Sequence, residues 1–330
     1  MLSKKTKSRP LTDGTHAMVG IQLGTQLLLW IFFDAYDRAL QTVWQAALMT
    51  AIPLLLLLWV WHGADPHSPS AKWFALPLTL CLFADAALMT SALGGFVGQL
   101  VPHYPMWVSV LAPAAVCWLT ALCARTRGVR YASQLLALPL SILLLLGTVF
   151  LRASTRADRL WPILGDGLFS TAKTALLGAG AGWGISLGVV FPQKRTKMWK
   201  TFLLYCCPWA LCVLCALWFG FLRPWAAGDA LPVAEKMMGL ARHAHSVLLY
   251  EATGVMWMLL IPTALTACFA SSGEIIRRAF PSLPVWASLL PAAAVALALQ
   301  AADFHSLLPF RYLVALGCGL ALRIDQRSKA

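Results

Sequence analysis

The chain has 330 residues, of which 59% are hydrophobic and only 12% are charged, and it carries a formal net charge of +13. A soluble domain has about 25% charged residues, so roughly half of an ordinary water-facing surface is missing. This composition excludes a soluble enzyme, a disulfide-stapled secreted domain, a collagen-like fibre and a disordered chain. Continuous apolar runs near the length that crosses a bilayer as a helix recur from Ala17 to Leu322, which excludes the alternating pattern of a barrel. The sequence predicts an all-α polytopic membrane protein.

About ten transmembrane helices are predicted along the chain. They follow a tail at residues 1–13, form one permease domain over 14–322, and precede a second tail at 323–330. An even number of spans puts both tails on the same side of the membrane. The spans lie near residues 17–34, 39–61, 73–97, 106–124, 131–151, 168–191, 199–222, 248–271, 283–302 and 307–322.

The basic residues are distributed unequally between the two sides of this arrangement. Seventeen of the 26 Lys and Arg residues lie on the side of the termini and eight on the other, with Arg311 counted among the eight and Lys173 inside a span. Cytoplasmic loops are enriched in Lys and Arg, so both termini are predicted to be cytoplasmic. The basic excess is therefore mainly a topology signal. Attraction to anionic lipid headgroups is secondary, and no nucleic-acid partner is predicted.

Glycines are concentrated in the first helix of each half of the chain. The halves run over about 14–152 and 162–322; span one contains Gly20 and Gly24, and span six contains Gly178, Gly180, Gly182, Gly184 and Gly188. Interrupted helices at matching places in two halves point to a five-plus-five inverted repeat whose discontinuous helices one and six hold the substrate. The same spacings also suit close helix packing, and both interpretations stay open.

Polar residues near these glycines favour a lined cavity. Gln22 and Gln26 are four residues apart on one helical face, and Thr25 lies beside Gly24. A pocket is expected between spans one, three, six and eight. Its predicted ligand-binding residues are Gln22, Gly24, Thr25, Asp85, Gly180, Gly182, Trp183 and Thr263.

Asp85 is the acid placed in the middle of span three. An aspartate at a helix centre costs about 2.5–3.5 kcal/mol on insertion into a membrane, so it should face an interior partner or water. A ligand ammonium, a cation or a water path is one interpretation. The other is a structural bond to Thr90, Ser91 or a neighbouring helix.

Motifs for catalysis or metal binding are absent from the sequence. There is no His-Glu-x-x-His, no Gly-x-Ser-x-Gly, no P-loop and no dinucleotide fingerprint. The cysteines clustered between Cys206 and Cys215 lie in an apolar run and are interpreted as packing residues. Neither an enzyme, a catalytic residue, a metal nor a cofactor is predicted.

Several short patterns occur in the same order as in a known family. They are Gly24-Thr25 with Trp44, Pro102-His-Tyr-Pro105-Met-Trp107, Gly128-Val-Arg, Asp158 through Gly167, Pro192, and Leu231-Pro232 through Trp257. By these patterns the chain resembles the B-subunit permeases of bacterial spore germinant receptors, in the amino acid–polyamine–cation superfamily. The resemblance spans roughly residues 14 to 322. Arg130 stands where the family has a glutamate, and an acid common near Gly182 is missing, so the ligand and any proton coupling stay open.

The resemblance implies a LeuT-like fold and three functional hypotheses. The first is a sensor of a small nutrient such as an amino acid, working in the spore inner membrane with a membrane A subunit and a lipoprotein C subunit. The second is an amino-acid or cation symporter of the same superfamily, whose coupling site would be an acidic group, for which Asp85 is available, or a sodium-coordinating cluster of carbonyls. The third is a partner protein that retains the scaffold without transporting.

Overall fold

A computed structural model of the chain describes residues 43–62, 70–105, 107–125, 167–180, 210, 213, 247–301 and 310–328, and the regular structure in these ranges is helical. The helices are α1 (Val43–Met49), α2 (Ala51–His62), α3 (Ala71–Ala75), α4 (Leu78–Leu100), α5 (Trp107–Arg125), α6 (Leu168–Gly180), α7 (Val247–Ala279), α8 (Val285–Ala298, continued by a 3-10 turn at Leu299–Ala301) and α9 (Phe310–Ser328).

Two of the predicted spans are locally distorted at a proline while the helix continues, over Gln45–Trp61 and over Ala71–Gly98. Pro53 has no N–H to donate to the carbonyl one turn earlier, and its ring crowds that carbonyl; α1 therefore gives way to α2 at Thr50, whose hydroxyl donates to the Ala47 carbonyl at 2.5 Å. Pro77 separates α3 from α4 in the same way, and the Thr79 hydroxyl donates to the Leu76 carbonyl at 2.7 Å.

Three helices in the described ranges are long and apolar enough to cross a membrane. They are Ala71–Gly98, Trp107–Arg125 and Met258–Ala279, and they correspond to predicted spans three, four and eight. Shorter apolar helices at Gln45–Trp61 and Val285–Ala298 match spans two and nine. The prediction of a helical, multi-pass membrane protein is confirmed. Predicted spans one, five and seven lie almost wholly outside the described residues.

Two helices continue past the ends that hydropathy predicts. Helix α7 runs to Ala279 instead of residue 271, and Glu274 on its last turns pairs with Arg277 at 3.8 Å and with Arg278 at 3.4 Å. Helix α9 runs to Ser328 instead of residue 322. A hydropathy average falls where charged residues begin, whereas Ile275, Ile276 and Ala279 of α7 remain buried beyond that point.

Helix α4 lies at the centre of the described bundle. It packs mainly against α7 and α8, while α9 packs against α2, α4 and α6. The largest fully buried side chains include Leu82, Leu88 and Met89 of α4 and Phe269 of α7. Helix α5 is peripheral. Only 22% of its apolar stretch is buried, whereas 78% is buried in the apolar stretches of Ala71–Gly98 and of Met258–Ala279.

Helices α4 and α9 are antiparallel neighbours. Ser70, just before α3, donates to the Asp325 carboxylate near the end of α9, and Cys81 on α4 contacts the carbonyl of Arg311 near the start of α9. The N-terminal end of the α3–α4 segment and the C-terminal end of α9 therefore lie at the same end of the bundle. This is the arrangement that spans three and ten require in a ten-span topology.

Candidate functional site

The structure pairs Asp85 with an arginine of the last helix. Asp85 lies at the middle of the Ala71–Gly98 span and its side chain has no exposed surface. Its carboxylate forms an ion pair with the guanidinium of Arg311, which is 2% exposed. Of the two interpretations of Asp85, the structure shows the second, because its carboxylate is bonded to a side chain of a neighbouring helix.

Both charges lie deep in the apolar interior. Asp85 follows Ser70 by fifteen residues and Arg311 precedes Asp325 by fourteen, which at 1.5 Å per helical residue is about 22 Å along each helix. Because Ser70 and Asp325 are in contact, Asp85 and Arg311 lie at the same depth along the bundle. Both side chains therefore lie about 22 Å from the end of the bundle where Ser70 and Asp325 meet, near the middle of the Ala71–Gly98 span.

The prediction that Arg311 belongs to the surface opposite the termini is wrong. The sequence interpretation put Arg311 near the outer end of a span that begins at residue 307, whereas the structure buries it against Asp85. The reason is electrostatic, because a buried carboxylate is stable only with a partner of opposite charge. Without Arg311, seven basic residues remain on the side opposite the termini against seventeen on the side of the termini, so the unequal distribution of Lys and Arg becomes larger.

Two further contacts surround the charge pair and connect three helices. The Gln300 amide, at the end of the α8 segment, donates to the Ala87 carbonyl of α4 at 2.8 Å and to the Ala296 carbonyl at 3.1 Å. The Cys81 thiol donates to the Arg311 carbonyl at 3.4 Å. These residues, with Asp85 and Arg311, form what we call the central polar cluster. It joins the middle of α4 to the end of α8 and the start of α9.

The central polar cluster sits among small side chains. On α4 the sequence reads Cys81 and then Ala84, Asp85, Ala86 and Ala87, and these residues are all buried. Small residues let helices approach closely, so the ion pair forms where the backbones of α4 and α9 are near each other. The arrangement holds one positive and one negative charge in the bundle interior with no net charge.

The remaining predicted ligand residues are distributed differently. Thr263 lies on α7, is partly exposed, and donates its hydroxyl to the Leu259 carbonyl of its own helix at 2.6 Å. Gly180 is the last residue of α6. Gln22, Gly24, Thr25, Gly182 and Trp183 lie outside the described residues, and their role as ligand contacts stays a prediction, as does that of Thr263 and Gly180.

Sequence reasoning missed two members of the central polar cluster. Arg311 carried a signal, since it is a lone arginine inside the predicted span 307–322 and Asp85 is a lone aspartate inside span three. A lone charge in an apolar span calls for a partner, but Lys173 inside span six was an equally available one for Asp85. Gln300 carried no such signal, because a glutamine near the end of a span is ordinary at a membrane surface.

The fold is similar to that of solved transporters. No protein-family profile and no curated protein sequence matches the chain. The inward-facing conformation of Mhp1 matches with a TM-score of 0.63 at 15% identity, over 94% of this chain and 76% of that one. Mhp1, a nucleobase-cation-symport-1 family transporter, also matches in a closed conformation with bromovinylhydantoin bound, with a TM-score of 0.60 at 14% identity, over 94% and 78%.

A second transporter has the same architecture. A mutant of the manganese transporter of Eremococcus coleocola matches with a TM-score of 0.57 at 12% identity, over 95% of this chain and 75% of that one. The chain has the LeuT-like, inverted-repeat fold. The predicted fold class is therefore confirmed.

Proposed function

We propose that this chain is a nutrient-sensing, permease-like subunit of a spore germinant receptor. It recognises a small nutrient, an amino acid, in the interior of a LeuT-like bundle in the spore inner membrane, with both termini in the cytoplasm. Its partners are a membrane A subunit and a lipoprotein C subunit. The central bundle residues bind the nutrient, and a change in helix packing passes the signal to the partners.

The fold likeness supports recognition of a small solute. Mhp1 with bromovinylhydantoin bound and a manganese transporter share the architecture over nearly the whole of this chain. The order of the short sequence patterns supports the more specific choice of a germinant receptor subunit.

The observation that carries the choice of sensing over transport is the Asp85–Arg311 pair. A symporter couples solute movement to a proton or cation through a group whose charge is available to it. In the described helices Asp85 is the carboxylate buried in the apolar interior, and a proton or cation that took its charge would leave the Arg311 guanidinium buried without a partner. The pair therefore stabilises one packing arrangement of the helices, and a sensor needs a ligand that binds one of two such arrangements better than the other.

A coupled symporter is the second candidate. It is favoured by the similar structures themselves, which include a nucleobase-cation-symport-1 family transporter and a manganese transporter. In that case another group takes the coupling role, and Asp85 and Arg311 hold the scaffold.

Reconstitution separates the two candidates. The purified full chain in liposomes is offered radiolabelled amino acids one at a time, with and without a proton or sodium gradient. We expect saturable binding of at least one amino acid and no accumulation above the external concentration. Accumulation that depends on a gradient would overturn the sensor proposal in favour of the symporter.

The germination role has its own test. Deleting the gene in the spore-forming host should remove germination triggered by the amino acid that binds the purified protein, while germination by an unrelated nutrient continues. An unchanged response to every amino acid tested would rule out the germinant receptor proposal, whatever the liposomes show.

A further inference from the structure

The Asp85–Arg311 pair has the charges of a ligand site for a zwitterion. An amino acid carries a carboxylate and an ammonium separated by one carbon atom. Arg311 offers the guanidinium that recognises a carboxylate with paired hydrogen bonds, and Asp85 offers the acceptor for an ammonium. The two groups form an ion pair in the interior, with Asp85 on α4 and Arg311 on α9.

We propose that the pair is the unliganded form of an amino-acid site. When the ligand enters between α4 and α9, its carboxylate replaces Asp85 at the Arg311 guanidinium, and its ammonium replaces Arg311 at the Asp85 carboxylate. The direct link between the two helices is then exchanged for two links through the ligand. This inference rests on the proposed function, because it names the class of nutrient and the residues that bind it.

The exchange leaves every charge paired. A buried charge without a partner is strongly unfavourable, and breaking a buried pair by removing one member is far more costly than replacing both. A zwitterion supplies both replacements at once. An amine would satisfy Asp85 and leave Arg311 alone, and a simple carboxylic acid would do the reverse, so both should bind poorly.

The exchange also gives the nutrient a way to change the packing. A ligand between Asp85 and Arg311 takes the place of the direct ion pair, so α4 and α9, which approach closely at the small buried side chains around Asp85, must move apart to admit it. Gln300 holds the same part of α4 to the α8 segment by its bond to Ala87. A movement of α9 away from α4 therefore takes place against a fixed α4–α8 unit.

Competition on the wild-type protein tests the specificity directly. The protein in lipid nanodiscs is loaded with the radiolabelled amino acid that binds it, and the matching amine, the matching carboxylic acid and the amino acid methyl ester are added as competitors. We expect each singly charged analogue to bind about 100-fold more weakly than the amino acid, as expected when one buried charge loses its partner. An analogue that competes within about threefold would overturn the proposal, because the unmatched charge would then have cost almost nothing.

A neutral pair tests the residues. The double variant Asp85→Asn/Arg311→Gln keeps hydrogen-bonding groups at both positions without charge, and should lose amino-acid affinity by about 100-fold. Matched controls are Glu274→Gln on α7 and Arg323→Gln on the same helix as Arg311, which lie away from the pair and should bind as the wild type does. Size-exclusion profiles confirm that each variant is folded.

The outcomes separate this inference from the proposed function. If the wild type binds no amino acid, the proposed function fails. If the wild type binds an amino acid and the folded double variant binds it equally well, the function stands and the assignment of Asp85 and Arg311 is wrong. If the double variant does not fold, the competition experiment on the wild type decides.

Discussion

Asp85 and Arg311 show what a lone intramembrane charge requires of the rest of the chain. From the sequence, Asp85 could be recognised as a residue that needs a partner, because a buried aspartate in an apolar span is costly. The partner could not be identified, since Arg311 is 226 positions away in the chain and hydropathy places it near a membrane surface. Only the packing of α4 against α9 brings the two side chains together.

A double-mutant cycle measures the interaction of this pair. We expect the single variants Asp85→Asn and Arg311→Gln each to lower the free energy of unfolding by about 3–5 kcal/mol, because each leaves its partner buried and unpaired. The double variant Asp85→Asn/Arg311→Gln should lose far less than the two single losses together, since no buried charge remains, and the difference is the coupling free energy of the pair. Unfolding in a denaturing detergent series checks this.

The control for the cycle is the ion pair on the last turns of α7. Glu274 pairs with Arg277 and Arg278, and all three side chains are about one-third exposed. Their neutralisation should cost less than about 1 kcal/mol, as for other exposed pairs. Equal costs for the Asp85 and Glu274 variants would mean that Asp85 is hydrated in the membrane.

At the level of helices, the closest approach of α9 to α2 depends on Gly319. The Trp61 indole donates to the Ala315 carbonyl of α9 at 3.0 Å, and a methyl group at Gly319 would come within 2.8 Å of the indole nitrogen and 2.6 Å of a Val60 methyl. Gly319 therefore leaves the space through which Trp61 reaches α9. Gly317, on the same helix, has open space beside it.

Alanine at these two glycines should have opposite effects. Gly319→Ala should destabilise the protein by about 1–3 kcal/mol, because the indole must move and its hydrogen bond is lost. Gly317→Ala should be neutral or stabilising by up to about 1 kcal/mol, as alanine favours the helix. Thermal unfolding of the two variants makes the comparison, and a greater loss at Gly317 would contradict the α2–α9 packing.

The helices themselves were largely predictable. Apolar runs located spans two, three, four, eight and nine, and prolines at 53, 77 and 281 account for distortions or ends that the runs alone do not show. The ends of α7 and α9 were not predictable from hydropathy, because both helices continue through segments that contain charged residues. In α7 those last turns still bury Ile275, Ile276 and Ala279.

At the scale of the whole molecule, the sequence predicted the architecture better than the site. The glycine-interrupted helices at corresponding places pointed to an inverted repeat, and similar structures confirm that fold. The site depends on which helices meet in three dimensions, and the sequence contains no local signal for that. Asp85 was therefore predicted as a candidate, whereas Arg311 and Gln300 were found only through the contacts of α4 with α9 and the α8 segment.

In the proposed bundle, a bound nutrient changes the contact between α4 and α9. Spin labels can report this movement from Leu80 and Leu313, which are 59% and 58% exposed on these two helices and lie close in sequence to Asp85 and Arg311. A ketone-bearing amino acid at the two positions takes the label and leaves the native cysteines unmodified.

The decisive measurement is the distance between these labels in nanodiscs with and without a saturating concentration of the amino acid that binds. We predict that the amino acid shifts the distance distribution to longer values in the wild type and leaves it unchanged in Asp85→Asn/Arg311→Gln. An identical distribution with and without the bound amino acid in the wild type would contradict the account.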